Sequence, residues 1–269
     1  MDRTELINKF SSDNDQRVLL SHIYDLWTSR NDRNVIRTSD FISESDLTAV
    51  KSMLNALYSS DHLIYGGYDG AERCCVVFFP DYFTKEDVIT TPSLAEITYV
   101  RATVSKFDAP NADISHRDVL GSLMALGIER STVGDIIADG QGAVFIVKSK
   151  LAEFLRSDFN RIGRYPVTVD LLESCEIKPI KDFEEGSDTV ASMRLDAVVS
   201  SIFKISRSSS SDYVCGGMVT VNGMLSAKPD MEVRVGDKLT LRGKGKAVID
   251  RLEGTSKKGR IRFVYKKYK

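Results

Sequence analysis

The stretch FKISRSSSSDYVCGGMVTVNG, from Phe203 to Gly223, decides the fold of the last third of this 269-residue chain. It follows an apolar run at helical spacing and places serines where a second helix can begin. Two glycines then end that helix, and the dipeptide Asn222-Gly223 is typical of a tight β-hairpin. The stretch therefore predicts two short helices followed by antiparallel strands.

The apolar run before this stretch predicts the first helix, which we expect to end near Lys204. Its members recur at i, i+3, i+4, i+7 and i+8, and they are Leu195, Val198, Val199, Ile202 and Phe203. Ser206 is the expected N-cap of the second helix, which runs through Cys215. The start of a helix exposes amide groups and the positive end of the helix dipole, and both favour a phosphate.

Hydroxyls and cations surround this helix start. Arg207 lies beside it, and the glycines of LRGKGK, residues 241–246, allow a close approach of the backbone. The sequence therefore predicts a surface that contacts phosphates. The residues that build it are Ser206, Arg207, Ser208, Ser209, Arg242, Lys244 and Lys246.

The charge of the chain is divided unevenly along its length. Residues 190–269 hold 17 Lys and Arg against 7 Asp and Glu, whereas residues 1–189 hold 20 against 31. The net charges are therefore +10 and −11 on the two parts. A basic C-terminal third on an acidic chain indicates that one end approaches a polyanion.

Composition excludes several classes of protein. No apolar run approaches the roughly 18 residues of a membrane span, and the start MDRTELINKF lacks the regions of a signal peptide, so we expect a cytoplasmic protein that binds no membrane. The histidines and cysteines form neither a CxxC nor a paired-histidine motif. We therefore expect reduced thiols, no metal and no cofactor. The four cysteines are Cys74, Cys75, Cys175 and Cys215.

Periodicity predicts an α+β protein of three parts: an N-terminal α+β unit over 1–85, a middle domain over 86–186 and a C-terminal domain over 187–269. The middle domain alternates strand, helix, strand, helix, strand, which is typical of a ferredoxin-like or RRM-like split βαβ sheet. Its expected elements are 97–104, 115–125, 142–147, 151–161 and 165–172. The Pro, Gly and acidic residues of 178–189 indicate a linker.

RLDAVVSSIF, SRSSSS, GGMVTVNG and VGDKLTLRGKGK, within residues 193–249, resemble in order and spacing the RNA-binding domain of the fourth protein of the small ribosomal subunit. This S-four-type domain has two helices on a small antiparallel sheet. The resemblance departs at Ser210, where alanine is usual, and at Asp212, where Lys or Gln is common. The positions onto which its RNA contacts carry over are Arg194, Ser206, Arg207, Ser208, Lys228, Arg242 and Lys244.

Two short motifs leave an enzyme as an alternative. RLDA, residues 194–197, is similar to the catalytic motif of pseudouridine synthases, but no Thr-Ser-Gly follows, and we interpret Asp196 as a carboxylate at a helix start. His116, Arg117 and Asp118 are an acid-base triplet without an evident partner. Ser115 with Asp118 indicates a capped helix start instead.

With the motif HRDVLGSLMALGIER at 116–130, nearly the whole chain resembles the YlmH family of bacterial proteins. The resemblance implies a protein without catalytic residues that binds ribosomal RNA and peptidyl-tRNA at the large ribosomal subunit. The implied process is ribosome-associated quality control, the tailing of stalled chains, with ribosomal or quality-control proteins as partners. Arg117 and Arg130 are expected secondary RNA contacts. An RNA-modifying enzyme and a scaffold linked to cell division stay open as alternatives.

Overall fold

The structure, a computed structural model, describes residues 2–33, 35–105, 109, 111–174, 183–255 and 259–268, without the side chains of residues 30–33. Its contacts divide the chain into two compact units, a front unit of residues 1–178 and a back unit of residues 179–269. The division into three domains at residues 85 and 186 stays a prediction. No described helix is long and apolar enough to cross a membrane.

Helices and strands of the front unit follow one another in a mixed order. Its helices are α1 (Arg3–Phe10), α2 (Asn14–Arg33), α3 (Glu44–Ala56), α4 (Lys85–Thr90), α5 (His116–Ala125) and α6 (Ala152–Asp158), with 3-10 turns at Pro92–Ala95, Arg130–Thr132 and Ser149–Leu151. Its strands are β1 (Arg37–Thr38), β2 (His62–Tyr65), β3 (Cys75–Phe78), β4 (Ile97–Val104), β5 (Val133–Ala138), β6 (Gly142–Lys148), β7 (Arg161–Ile162) and β8 (Tyr165–Leu172).

The first 90 residues form a small antiparallel sheet of order β1-β3-β2 with helices on one face. Alternate residues of β3 point to opposite faces. Val76 and Phe78 pack against α1, α2 and α3, whereas Cys75 and Val77 face a second core. The N-cap Ser43 accepts a hydrogen bond from the amide of Asp46 at the start of α3.

The second core of the front unit joins this small sheet to a five-stranded antiparallel sheet of order β5-β6-β4-β8-β7. One face of the five-stranded sheet, with Val100 and Phe145, packs against α5 and α6. The opposite face, with Tyr99 and Ile146, packs against Val77 and its neighbours. The N-terminal elements therefore cover part of the sheet face that the helices leave open.

The sequence predicted three strands in this sheet, and the structure adds β5 and β7. Strand β5 was not predicted from the sequence, because it contains Gly134 and Asp135, which are both poor strand formers. Its pairing with β6 is also irregular in register. Its place is fixed by contacts distant along the chain. The carboxylate of Asp135 accepts bonds from the hydroxyl of Tyr68 at 2.7 Å and from the amides of Glu72 and Arg73 at 2.7 and 3.0 Å.

The back unit is a six-stranded antiparallel sheet of order β11-β10-β12-β13-β14-β9 with two helices packed on it. Val198, Ile202 and Val214 of the helices pack against Leu239 and Phe263 of the strands. Its elements are β9 (Phe183–Val190), α7 (Leu195–Phe203), α8 (Arg207–Cys215), β10 (Val219–Val221), β11 (Met224–Leu225), β12 (Lys238–Leu241), β13 (Gly245–Thr255) and β14 (Ile261–Tyr268).

The prediction of a linker over 178–189 was wrong for the described part of that segment. From Phe183 onward the chain is the edge strand β9, which pairs with β14 over its full length. Acidic residues of β9 lie opposite basic residues of β14, as in the pair of Glu185 and Lys266, and the rings of Phe183 and Tyr268 lie 4.8 Å apart. Cross-strand pairs of this kind stabilise a strand whose own composition predicts a loop.

Candidate nucleic-acid interface

The start of α8 is a capped helix terminus lined by hydroxyls. Ser206 is the N-cap, and its Oγ accepts a bond from the amide of Ser209 at 3.0 Å. The same oxygen lies 3.0 Å from the hydroxyl of Ser208 and 2.7 Å from that of Ser209. The cap satisfies one amide of the first turn, and the remaining amide groups and hydroxyls there are donors for an anion.

Two arginines flank this helix start and share one carboxylate. Asp196 lies in the first turn of α7, and its oxygens are 3.2 Å from the guanidinium of Arg194 and 3.3 Å from that of Arg207. The carboxylate is buried, with 7% of its side chain exposed, whereas the side chains of Arg194 and Arg207 are 42% and 57% exposed. The carboxylate therefore contacts both guanidinium groups on their buried side, and the other side of each group is open to solvent.

The electrostatics of this cluster keep Asp196 ionised. Burial by itself would raise the pKa of Asp196, but the hydrogen bonds and charges of Arg194 and Arg207 outweigh it and hold that pKa below its ordinary value. These three side chains together carry one net positive charge. A phosphate placed over the two guanidinium groups would therefore find charge-assisted donors already in position.

Ser210 links the two helices of the back unit. It is fully buried, and its hydroxyl donates to the backbone carbonyl of Asp196 at 2.8 Å. This bond ties α8 to the first turn of α7, so the serine fixes the distance between Arg207 and Asp196. Asp212 is exposed on α8.

Lys228 belongs to the loop that lies against the start of α7. The carbonyls of Pro229 and Met231 in this loop accept the amides of Asp196 and Leu195 at 2.9 and 2.8 Å. These bonds bring the backbone beside Lys228 to the first turn of α7. The side chain of Lys228 is exposed.

Arg242 and Lys244 lie in the turn between β12 and β13, at the other end of α8. The amide of Arg242 donates to the carbonyl of Met218, just after α8 ends. A helix of nine residues is about 13 Å long, so this turn is separated from Ser206 by roughly that distance. Within the described residues, neither Arg242 nor Lys244 forms an ion pair. Lys246 lies in β13 opposite Thr240.

The structure thus groups the predicted residues into two clusters on the back unit. We call the first the helix-start cluster, which comprises Arg194, Ser206, Arg207 and Ser208 with the Lys228 loop nearby. We call the second the hairpin cluster, which comprises Arg242, Lys244 and Lys246. Sequence reasoning missed the part of Asp196 in the first cluster. The signal for this contact was the position of Asp196 between two basic residues, Arg194 and Arg207. The signal was weak, because Asp196 and Arg207 are eleven residues apart in the sequence.

The two expected secondary contacts have different surroundings. Arg117 is exposed on α5 and borders a surface groove. Arg130 is half-buried, and its guanidinium donates to the carbonyls of Val133 and Gly134 at 2.6 and 3.2 Å. Burial lowers the pKa of Arg130 to about 10. Its side chain therefore holds the start of β5 in place.

The triplet of residues 116–118 is a capped helix start, as interpreted from the sequence. Ser115 and Asp118 form a capping box, in which the carboxylate accepts the amide and hydroxyl of Ser115. These bonds lower the pKa of Asp118, which disfavours a general acid.

The described part of the chain shows no cluster of His, Cys, Asp and Glu that could hold a metal ion. Cys74, Cys75 and Cys215 are free thiols, and burial raises the pKa of Cys75 to about 12. Cys175 lies outside the described residues.

These observations define the class: an α+β protein whose back unit carries a basic surface rich in hydroxyls, suited to nucleic-acid phosphates. Residues 93–176, in the front unit, match the family model described as "Putative RNA-binding domain in YlmH". The chain is 33% identical over 205 residues to the Ribosome-associated protein quality control protein P2 of Bacillus subtilis (strain 168), covering 76% of this chain and 77% of that protein. The chain therefore belongs to the family of that protein, the YlmH family.

Two solved structures are similar to parts of the chain. The Cell division protein ylmH from Streptococcus pneumoniae is 20% identical, with a TM-score of 0.48, over 60% of this chain and 93% of that one. The Heat Shock Protein 15 of Vibrio cholerae is 31% identical, with a TM-score of 0.21, over 24% of this chain and 65% of that one.

Proposed function

We propose that this protein is a non-enzymatic RNA-binding protein of ribosome-associated quality control, which docks on the ribosomal RNA of the large subunit and contacts peptidyl-tRNA there. Its membership of the family of the quality control protein P2 supports the process. The match of residues 93–176 to an RNA-binding family model supports the ligand. Ribosome binding implies a cytoplasmic location.

The observation that carries the proposal is the pair of half-exposed arginines held by one buried carboxylate at a helix start. Arg194 and Arg207 are positioned through Asp196 before any ligand arrives, so little side-chain entropy is lost when they bind a phosphate. Folded RNA presents phosphates at fixed spacings, and a rigid surface can match that geometry. The back unit is, on this proposal, an S-four-type domain, and the middle of the front unit is an RRM-like domain.

The alternative of an RNA-modifying enzyme lacks support at both of its motifs. Asp196, which a pseudouridine synthase would use as a nucleophile, is buried between two arginines. The carboxylate of Asp118 accepts hydrogen bonds from Ser115 in the capping box at the start of α5. The alternative of a scaffold linked to cell division stays a prediction.

Sedimentation with separated ribosomal subunits tests the proposal. We expect the wild-type protein to travel with the large subunit and the double variant Arg207→Ala, Arg242→Ala to remain in the supernatant. The double variant Arg251→Ala, Lys266→Ala is a matched control, because it also removes two cations and both of them pair with Asp250. Equal sedimentation of wild type and double variant would overturn the proposal for the back unit. Sedimentation with neither subunit would overturn it for the whole protein.

A further inference from the structure

A groove with arginines on its rim lies on the helix side of the five-stranded sheet in the front unit. It has a volume of about 700 Å³ and runs between α5 and the segment that joins α6 to β8. Gly121 and Ala125 of α5 form one wall. Arg117, Arg161 and Arg164 stand on the rim, and all three are exposed.

Short-range contacts hold two of these arginines, Arg161 and Arg164. The guanidinium of Arg161 donates to the carbonyl of Gly163 at 3.0 Å. That of Arg164 donates to the hydroxyl of Tyr165 at 2.8 Å and lies 5.0 Å from the centre of its ring. Within the described residues, no ion pair involves Arg117, Arg161 or Arg164. The rim therefore carries three cations whose charge no carboxylate neutralises at contact distance.

Two carboxylates also line the groove, and each accepts a hydrogen bond from the hydroxyl of a nearby serine. Asp118 is in the capping box with Ser115, and Asp158 accepts the hydroxyl of Ser157 at 2.7 Å. The wall formed by Gly121 and Ala125 has no polar side chain, and the space beside it is open, since a Cβ built on Gly121 would meet no atom within 4 Å. Such a groove has room for an unpaired base beside guanidinium groups that can bind its phosphate or stack on it.

The opposite face of the same sheet is poorly suited to RNA. Domains of this topology bind unpaired bases on aromatic side chains of the open sheet face. Here Tyr99 is 2% exposed, and its hydroxyl donates to the carbonyl of Gly67. The rest of that face carries Arg101, which pairs with Asp139 at 2.6 Å and lies opposite Asp170. The aromatic ring of this face is therefore buried, and the arginine beside it is already paired with a carboxylate.

We propose that the front unit binds RNA in the groove between α5 and β7, through Arg117, Arg161 and Arg164, and not on its sheet face. This inference rests on the proposed function, and it names the surface of the front unit that performs it. The match to an RNA-binding family model covers residues 93–176, which contain the whole groove and exclude the N-terminal elements that cover the sheet. Charge complementarity favours RNA as the occupant.

The test uses the full chain and a fluorescent single-stranded oligoribonucleotide of mixed sequence, with the salt concentration varied. We expect Arg117→Ala, Arg164→Ala to weaken binding about tenfold and to lower the salt slope by about 0.7 for each phosphate that the variant no longer binds. Arg156→Ala is the control for each single substitution, Arg117→Ala and Arg164→Ala, because Arg156 lies on α6, pairs with Glu153 at 3.6 Å and does not line the groove.

A second pair of variants blocks the groove without removing charge. Gly121→Gln extends a side chain from the α5 wall into the groove, and Gly121→Ala adds only a methyl group to the open space. Both replace a helical glycine, so both should be as stable as the wild type or more stable. We expect the glutamine variant to bind the oligonucleotide several-fold more weakly and the alanine variant to bind it as the wild type does.

The outcomes separate this inference from the proposed function. Wild-type binding to the large subunit, with the groove variants binding the oligonucleotide normally, would overturn the groove alone. Loss of subunit binding by those variants with normal binding of the oligonucleotide and of purified ribosomal RNA would assign the groove to a ribosomal protein, which also overturns the inference. Absence of wild-type binding to subunits and RNA alike would overturn the proposed function itself.

Discussion

Asp196 is the buried carboxylate that positions Arg194 and Arg207, and its replacement by asparagine tests that role. The variant keeps the shape of the side chain and removes the charge that both guanidinium groups contact. We expect the free energy of unfolding to fall by about 1–2 kcal/mol, because both ion pairs disappear while the half-exposed arginines regain water. Urea unfolding followed by circular dichroism measures this decrease.

The matched control is Asp212→Asn, which makes the same chemical change on an exposed part of α8. We expect it to leave stability unchanged within error, since an exposed charge away from such contacts contributes little. Equal decreases for the two variants would show that Asp196 has no special part in the cluster.

The stability that Asp196 contributes should depend on pH in a defined direction. Its pKa in the folded protein lies below the ordinary value of 3.8, so the folded state favours the ionised form. The contribution is therefore complete above about pH 5 and is lost as the pH falls through the folded pKa. Unfolding measured at about pH 7 and again below about pH 3 should show the difference between wild type and Asp196→Asn shrinking at the lower pH. A difference that does not change with pH would contradict ionisation as its cause.

Two substitutions at the start of α8 distinguish the capping role of Ser206 from its proposed contact with phosphate. Ser206→Ala removes the cap and should lower the free energy of unfolding by about 1 kcal/mol. Ser206→Asp keeps a good cap and places a negative charge beside Arg207. We expect that variant to be as stable as the wild type and to bind RNA more weakly. A Ser206→Asp protein with wild-type affinity for RNA would exclude the helix start from the interface.

Local signals made the helices of the back unit predictable. The apolar spacing of α7, the cap at Ser206 and the Asn222-Gly223 turn each depend on a few adjacent residues, and all three are confirmed. Edge strand β9 was not predictable from such signals, because its partner β14 lies about seventy residues away. An acidic segment that contains a glycine is typical of a linker. Only its pairing with the basic strand β14 shows that this segment is a strand.

In the candidate site, too, local features were predicted from the sequence and contacts between distant residues were not. Residue types and spacing predicted Arg194 and Arg207, whereas their shared contact with Asp196 depends on the packing of α7 against α8. The groove of the front unit was missed beyond Arg117. Arg161 and Arg164 follow α6 in sequence, and only the folding of β7 brings them opposite α5.

For the whole molecule, charge is distributed so that part of the back unit is neutralised internally. Residues 179–269 hold 18 Lys and Arg against 11 Asp and Glu, and residues 1–178 hold 19 against 27. Acidic residues of β9 bind cations of the back unit, as in the pair of Asp188 and Lys204 at 3.1 Å and that of Glu185 and Arg251 at 3.2 Å. Within the described residues, Arg242 and Lys244 of the hairpin cluster take part in no such ion pair.

This distribution predicts which cations determine the salt dependence of ribosome binding. Removal of Arg242 and Lys244 together should lower the slope of log affinity against log salt by about 1.4 to 1.8, since each phosphate contact contributes about 0.7 to 0.9. Removal of Arg251 and Lys266 changes the net charge equally but takes away cations already paired with Asp250. We expect the slope to stay unchanged in that variant. Equal slopes for the two double variants would mean that net charge, and not the exposed hairpin cluster, attracts the protein to the ribosome.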